Sequence, residues 1–221
     1  MTMERDSAQK LARELKISIN QIVREYWEML ILKELSQSKI GDYLVFVGGT
    51  VLRLAYNSPR FSDDLDFYLK KSLSAALFRR EINFIAKKLN LQLTDLKPKY
   101  FTFLAEFKIK TDYLILPFRI KIEIRKKIVK NGWEFRLLNS ATVNFDVLFS
   151  VLNLEKLRDF KKLAFKERRE PRDLFDLWFI SQQLKQPFRK PKIKIDAKEV
   201  KQVLSKYLPE NFKTVIRQIT K

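Results

Sequence analysis

Residues 45–69 read VFVGGTVLRLAYNSPRFSDDLDFYL. An apolar strand over residues 43–47 ends at the pair Gly48-Gly49, and Thr50 is placed to cap a helix over residues 51–56. Asn57 to Arg60 reads as a turn stiffened by Pro59, and residues 61–69 read as a second strand. Within that strand Asp64 and Asp66 alternate with apolar neighbours, so both carboxylates lie on one face. Two carboxylates side by side repel unless a cation stands between them. A divalent metal carrying the phosphates of a nucleotide satisfies that requirement.

The composition narrows the chemistry. The chain has 221 residues with neither Cys nor His. Disulfides, thiolate or imidazole zinc sites and every mechanism with a His base are excluded. Carboxylates, Lys, Arg, Tyr and hydroxyls remain. Apolar residues make up 46%, and the 18 Phe supply much of the core volume. No long apolar run or secretory leader is visible, so a soluble, cytoplasmic protein without a membrane partner is expected. The formal charge of +19 attracts polyanions, of which nucleic acid is the commonest in a cytoplasm.

Outside the opening stretch, helical spacing marks residues 5–36 and 73–89. Strand-like alternation marks 91–96, 101–110 and 113–115, and most clearly 118–128. There Ile120, Ile122 and Ile124 share one face, and Arg119, Lys121, Glu123 and Arg125 the other. From residue 144 the pattern reads as helical, over 145–165, 174–184 and 197–219, with a basic tail at 185–194. The expected division is a core at 1–140, N-terminal helices included, and a helical C-terminal domain at 141–221.

Nucleotidyl transfer needs positioning and charge neutralisation more than covalent help. Mg²⁺, or Mn²⁺, is held by one or two carboxylates plus phosphate oxygens. Asp64 and Asp66 would supply the metal ligands. A glycine pair at a helix start exposes N–H groups and lets phosphate approach, so Gly48, Gly49, Thr50 and Ser62 are candidates for binding the triphosphate of an NTP. Arg60 would neutralise further charge. Glu123, if its strand lies beside Asp64 and Asp66, becomes a third carboxylate, as metal ligand or as general base. Each signal has a bland counterpart: an Asp-x-Asp pair is often a solvated strand face, and a Gly-Gly is often a plain turn. Their order along the chain is what a bare structural explanation does not require.

The segments GGTVL and RFSDDLDF, joined by LEKL at 154–157 and RREPRDLFDL at 168–177, resemble the nucleotidyltransferase superfamily of polymerase-β-like fold, and within it the AbiEii/AbiGii toxin family that includes the MenT-type transferases. The resemblance spans residues 28–184. It implies an α+β fold, a small mixed sheet flanked by helices, with a helical C-terminal part closing a nucleotide cleft. It implies transfer of a nucleoside monophosphate from an NTP to an acceptor, in the MenT branch the 3′ end of tRNA, and a cognate antitoxin as partner. It assigns Ser62 and Asp64 to the S-x-D element, with Asp66 beside them, Lys156 to the helical lysine that contacts the triphosphate, and Asp173 to the helical acid that orients Lys156 or Arg172 or touches the nucleotide. Glu123 stands where many such enzymes carry Asp, and Asp63 adds a carboxylate of unassigned role. The competing readings are the same chemistry on a small molecule or protein side chain, and a non-catalytic basic RNA-binding protein.

Overall fold

The computed structural model describes residues 3–189 and 196–220. In chain order the elements are α1 (Arg5–Glu14), α2 (Ile19–Gln37), β1 (Leu44–Val47), α3 (Gly48–Tyr56), β2 (Asp64–Leu69), α4 (Ala75–Lys88), β3 (Gln92–Pro98), β4 (Thr102–Ile109), β5 (Phe118–Ile128), β6 (Trp133–Leu138), β7 (Val147–Leu152), α5 (Leu154–Arg168), α6 (Pro171–Gln183), α7 (Ala197–Leu204) and α8 (Val215–Thr220). The described strands form one mixed sheet of seven in the order β3-β4-β5-β2-β1-β7-β6. β1 runs antiparallel to β2 and parallel to β7, and β2 runs parallel to β5. This is the expected α+β design, a mixed sheet flanked by helices.

The core follows from strand parity. Phe46, Phe67 and Phe149 come from three adjacent strands and pack with ring centroids 5.1–6.1 Å apart. Leu65, Phe67, Ile120, Ile122 and Ile124 are buried on the same side of the sheet. Phe78 of α4 packs against Phe103 of β4 with ring centroids 4.9 Å apart, joining that helix to the same core. The alternate residues of β2 and β5 are thereby turned to the opposite face.

Four expectations change. Residues 145–165 do not form a helix throughout: Val147–Leu152 is β7, between β1 and β6 in the sheet. Its apolar run is buried almost from end to end, so it lacks the alternation that distinguishes a strand from a buried helix. The helix begins after it, where the side chain of Asn153 accepts a hydrogen bond from the Lys156 N–H. The sheet therefore continues past residue 140, where a boundary was expected, through the paired strands β6 and β7. Residues 113–115 form a turn instead of a strand, and residues 197–219 contain two helices, with a short 3-10 turn at Glu210–Phe212 following Pro209. Of the basic tail at 185–194, residues 190–194 lie outside the described residues. No described helix is long and apolar enough to cross a membrane.

Candidate active site

β2 and β5 are neighbours, with Asp64 opposite Lys121 and Asp66 opposite Glu123. The sheet pairing thus unites three carboxylates separated by more than fifty residues of sequence. They open into a cleft of about 790 Å³ whose floor is the β2–β5 face and whose wall is α5. Lys121 Nζ stands between two of them, 3.5 Å from Asp64 Oδ2 and 3.5 Å from Glu123 Oε2. Arg125 Nε lies 3.4 Å from the other oxygen of Glu123.

Burial and like charge dominate the acids. Burial pushes the Asp66 carboxyl up to about 6, helped by Asp64 and Glu123 and opposed by Lys161 and Lys121. Asp64 is raised for the same first reason, and Lys121 counteracts it. Lys121 is itself raised: burial pushes it down, but Asp64, Glu123 and Asp66 outweigh that. Behind the site, in α2, the buried Glu28 is raised well above its ordinary range by desolvation, with Glu25, Asp63 and Asp64 adding to it.

As the side chains stand, no three acids among the described residues come close enough to enclose a metal ion. The Lys121 ammonium is the cation between Asp64 and Glu123. The donor set still fits Mg²⁺ or Mn²⁺. All its atoms are carboxylate oxygens, such ions need only one or two of them beside phosphate and water, and the Asp66 side-chain carboxylate accepts no hydrogen bond among the described residues. Rotation of the long Lys121 side chain would release Asp64 and Glu123 from their ion pairs and leave their oxygens available to such an ion.

The glycine pair sits at the head of the site. α3 begins at Gly48, two residues before the expected cap, and its first turn has no side-chain cap. Its leading N–H groups are left without a capping side chain at the cleft. Gly48 has φ +89°, and a Cβ there would lie 2.6 Å from Asp66 Oδ2. Only glycine fits both that backbone and that carboxylate. Thr50 does not cap; its buried hydroxyl donates to the Asp64 carbonyl at 2.6 Å and ties the start of β2 to α3. Ser62 Oγ lies against Gly49, 2.7 Å from where a Cβ would be.

Arg60 departs from its expected role. It is only 2% exposed and points inward, its Nε and Nη2 donating to the two oxygens of Asp176 at 2.7 and 2.8 Å. Nη1 donates to the Phe61 carbonyl. Its guanidinium passes so close to Gly49 that a side chain there would collide with it. The physical reason is the buried Asp176 in α6, a charge that must be matched where water cannot reach. Arg60 is therefore not on the phosphate-facing surface.

The lysine assignment also moves. Lys156 sits at the start of α5, where its side chain packs over Gly132 in the β5–β6 turn, and it is not among the residues lining the cleft. Lys161, five residues on and about 140° around the helix, shares the cleft face with Leu157, Phe160 and Ala164. Its Nζ bonds Asp173 Oδ1 at 2.9 Å and Asp176 Oδ2 at 2.6 Å. Asp173 is fully buried and also receives Arg168 through both oxygens, at 2.7 and 2.9 Å. Burial pushes both aspartates up, but Lys161 with Arg168 or Arg60 wins and holds each below the usual carboxylate range. Asp173 thus positions Lys161 and Arg168, not Lys156 or Arg172. The visible signal was a lysine inside the apolar stripe of its helix, where a solvated lysine does not belong.

Asp63 is settled as well. It accepts from the Tyr207 hydroxyl at 2.6 Å and lies 3.4 Å from Arg24 Nε and 3.8 Å from Arg172 Nη1. It clamps α2, α6 and the segment after α7, and its charge adds to the raising of Asp64 beside it.

With this geometry in place, the family described as "Nucleotidyl transferase AbiEii toxin, Type IV TA system" matches residues 30–216. The chain belongs to the AbiEii nucleotidyltransferase toxin family. A search of curated proteins finds no match. Two solved structures from Helicobacter pylori share the fold. One is a provisionally assigned nucleotidyltransferase, 21% identical, covering 92% of this chain and 93% of its own, with a TM-score of 0.57. The other is JHP933, 21% identical, covering 75% of this chain and 68% of its own, with a TM-score of 0.56. This AbiEii-family chain therefore carries a nucleotidyltransferase fold, with its acidic row on the floor of the cleft.

Proposed function

We propose that the protein transfers a nucleoside monophosphate from an NTP to RNA, with the 3′ end of tRNA as acceptor, as a Mg²⁺- or Mn²⁺-dependent toxin acting in the cytoplasm and countered by a cognate antitoxin. The observation that carries the reading is the row of Asp64, Asp66 and Glu123 facing the uncapped start of α3. Asp64 and Asp66 would hold the ion, with Glu123 beside them, and the ion would offset charge on the triphosphate. The first N–H groups of α3, with Ser62, receive phosphate oxygens beside Gly48 and Gly49. Lys161, pinned by Asp173 and Asp176, presents a positive charge to the leaving group without having to be ordered first.

The acceptor hydroxyl oxygen bonds to the α-phosphorus while the bond from that phosphorus to the bridging oxygen breaks. Pyrophosphate leaves with the bonding electrons. Glu123, opposite Asp66 in the row, takes the hydroxyl proton. The net charge of +19 favours an RNA acceptor over a cationic small molecule. Incubation of total RNA with each labelled NTP and Mg²⁺ tests the reading. Labelled tRNA is expected from the wild type and none from Asp64→Ala; equal labelling by the variant refutes it, and label on protein or a small molecule instead reassigns the acceptor.

A further inference from the structure

The hairpin joining β3 and β4 ends in Lys99-Tyr100-Phe101, and its two aromatic rings are turned out to solvent. Tyr100 is 85% exposed and Phe101 76%, and the rings meet edge to face at 4.5 Å. Adjacent exposed aromatics leave apolar area in water and contribute nothing to the core. Their backbone is nevertheless anchored. The Lys99 N–H donates to the Thr102 carbonyl at 2.7 Å, and the Lys126 N–H donates to the Phe101 carbonyl at 2.9 Å. The tip is thus a fixed extension of the sheet.

Its surroundings are basic. Lys99, Lys126 and Lys127 make no ion pair among the described residues. Phe101, Thr102, Arg125, Lys126 and Lys127 belong to the same cleft as Asp64 and Asp66. Register sets the spacing: Leu104 lies opposite Glu123, which lies opposite Asp66. Phe101 is three residues further along β4, about 10 Å beyond the carboxylate row. A strand entering from the tip would pass Lys126 and Lys127, whose ammonium groups lie over the Phe103 and Phe160 rings with no carboxylate partner among the described residues, before its end reached the acids.

We infer that this hairpin tip is the docking platform for the acceptor, a single-stranded RNA end whose bases stack on Tyr100 and Phe101 while Lys99, Lys126 and Lys127 track its phosphates. The inference rests on the proposed RNA acceptor and assigns where it lies. Aromatic stacking accepts any unpaired base, whereas a paired base in a duplex offers no free face. The platform therefore selects for an unpaired terminus rather than for a sequence.

The test is fluorescence anisotropy of the full chain with an unstructured RNA oligomer and with a blunt duplex of equal length, in EDTA and without NTP. The single strand is expected to bind more tightly than the duplex. Tyr100→Ala and Phe101→Ala are each expected to weaken single-strand binding about 10-fold, with an unchanged salt slope. Tyr100→Trp is expected to retain affinity, and Lys126→Ala to reduce the salt slope by about 1. Both rings are exposed, so unchanged circular dichroism spectra are expected. Wild-type affinity in the double alanine variant, or equal preference for the duplex, overturns the platform; the former is also the outcome if the rings seat a protein partner. Because this assay needs neither metal nor NTP, strand binding through Tyr100 and Phe101 without any NMP transfer would refute the transfer reading alone.

Discussion

Asp66→Asn is expected to stabilise the metal-free protein. The carboxyl is raised from 3.8 to about 6 by burial and by Asp64 and Glu123. Its folded-state value exceeds its unfolded value, so the native state binds more protons between these limits, and stability falls as pH rises through that window. Above pH ~6 the full penalty applies; below pH ~4 both states are protonated and it vanishes. About two units correspond to roughly 3 kcal/mol at 1.36 kcal/mol per unit. Asp66 keeps some contact with cleft solvent, which makes this an upper bound. For a chain of this size about 1 kcal/mol shifts Tm by roughly 2–4 °C, so the ceiling is about 10 °C. Asn keeps the shape against Gly48 and removes the charge. The assay is thermal melting in EDTA at pH 4 and pH 8. The variant should melt several degrees higher at pH 8 and match the wild type at pH 4, and added Mg²⁺ should raise the wild type only. A variant that melts lower at pH 8, or gains equally at both pH values, refutes the argument that Asp66 is a destabilised charge awaiting a cation.

Two further outcomes separate position from proximity in sequence. Lys161→Met should abolish NMP transfer from labelled NTP, while Lys156→Met should leave it near wild type, since only Lys161 faces the cleft; the reverse order would restore the original assignment. Arg60→Met should lower unfolding stability in a denaturant titration by about 3–5 kcal/mol, the cost of leaving Asp176 buried without its bidentate partner. A loss below about 1 kcal/mol would show that Lys161 alone neutralises Asp176.

Alternation within a strand and glycine before a helix are local properties, and they are written in the sequence. That is why Asp64 and Asp66 read correctly as sharing a face, why residues 118–128 read as a strand matching β5 end to end, and why Gly48-Gly49 read as the point where β1 gives way to a helix, although the helix starts at the glycines themselves. What tertiary structure decided is which of these faces meet. Glu123 joins the row because β5 pairs parallel to β2 in one register, and a two-residue slip would have put Lys121 or Arg125 beside Asp66. Arg60 went inward because α6 brings a buried Asp176 to it from 116 residues away. Lys161 replaced Lys156 because the docking of α5 on α6 turns one side of the helix to the cleft. β7 was lost to a helical reading because burial on both faces erases its period. The residue types available for chemistry were set by composition and local pattern. Their selection was set by long-range packing, which minimises unmatched buried charge, a quantity no local window of sequence contains.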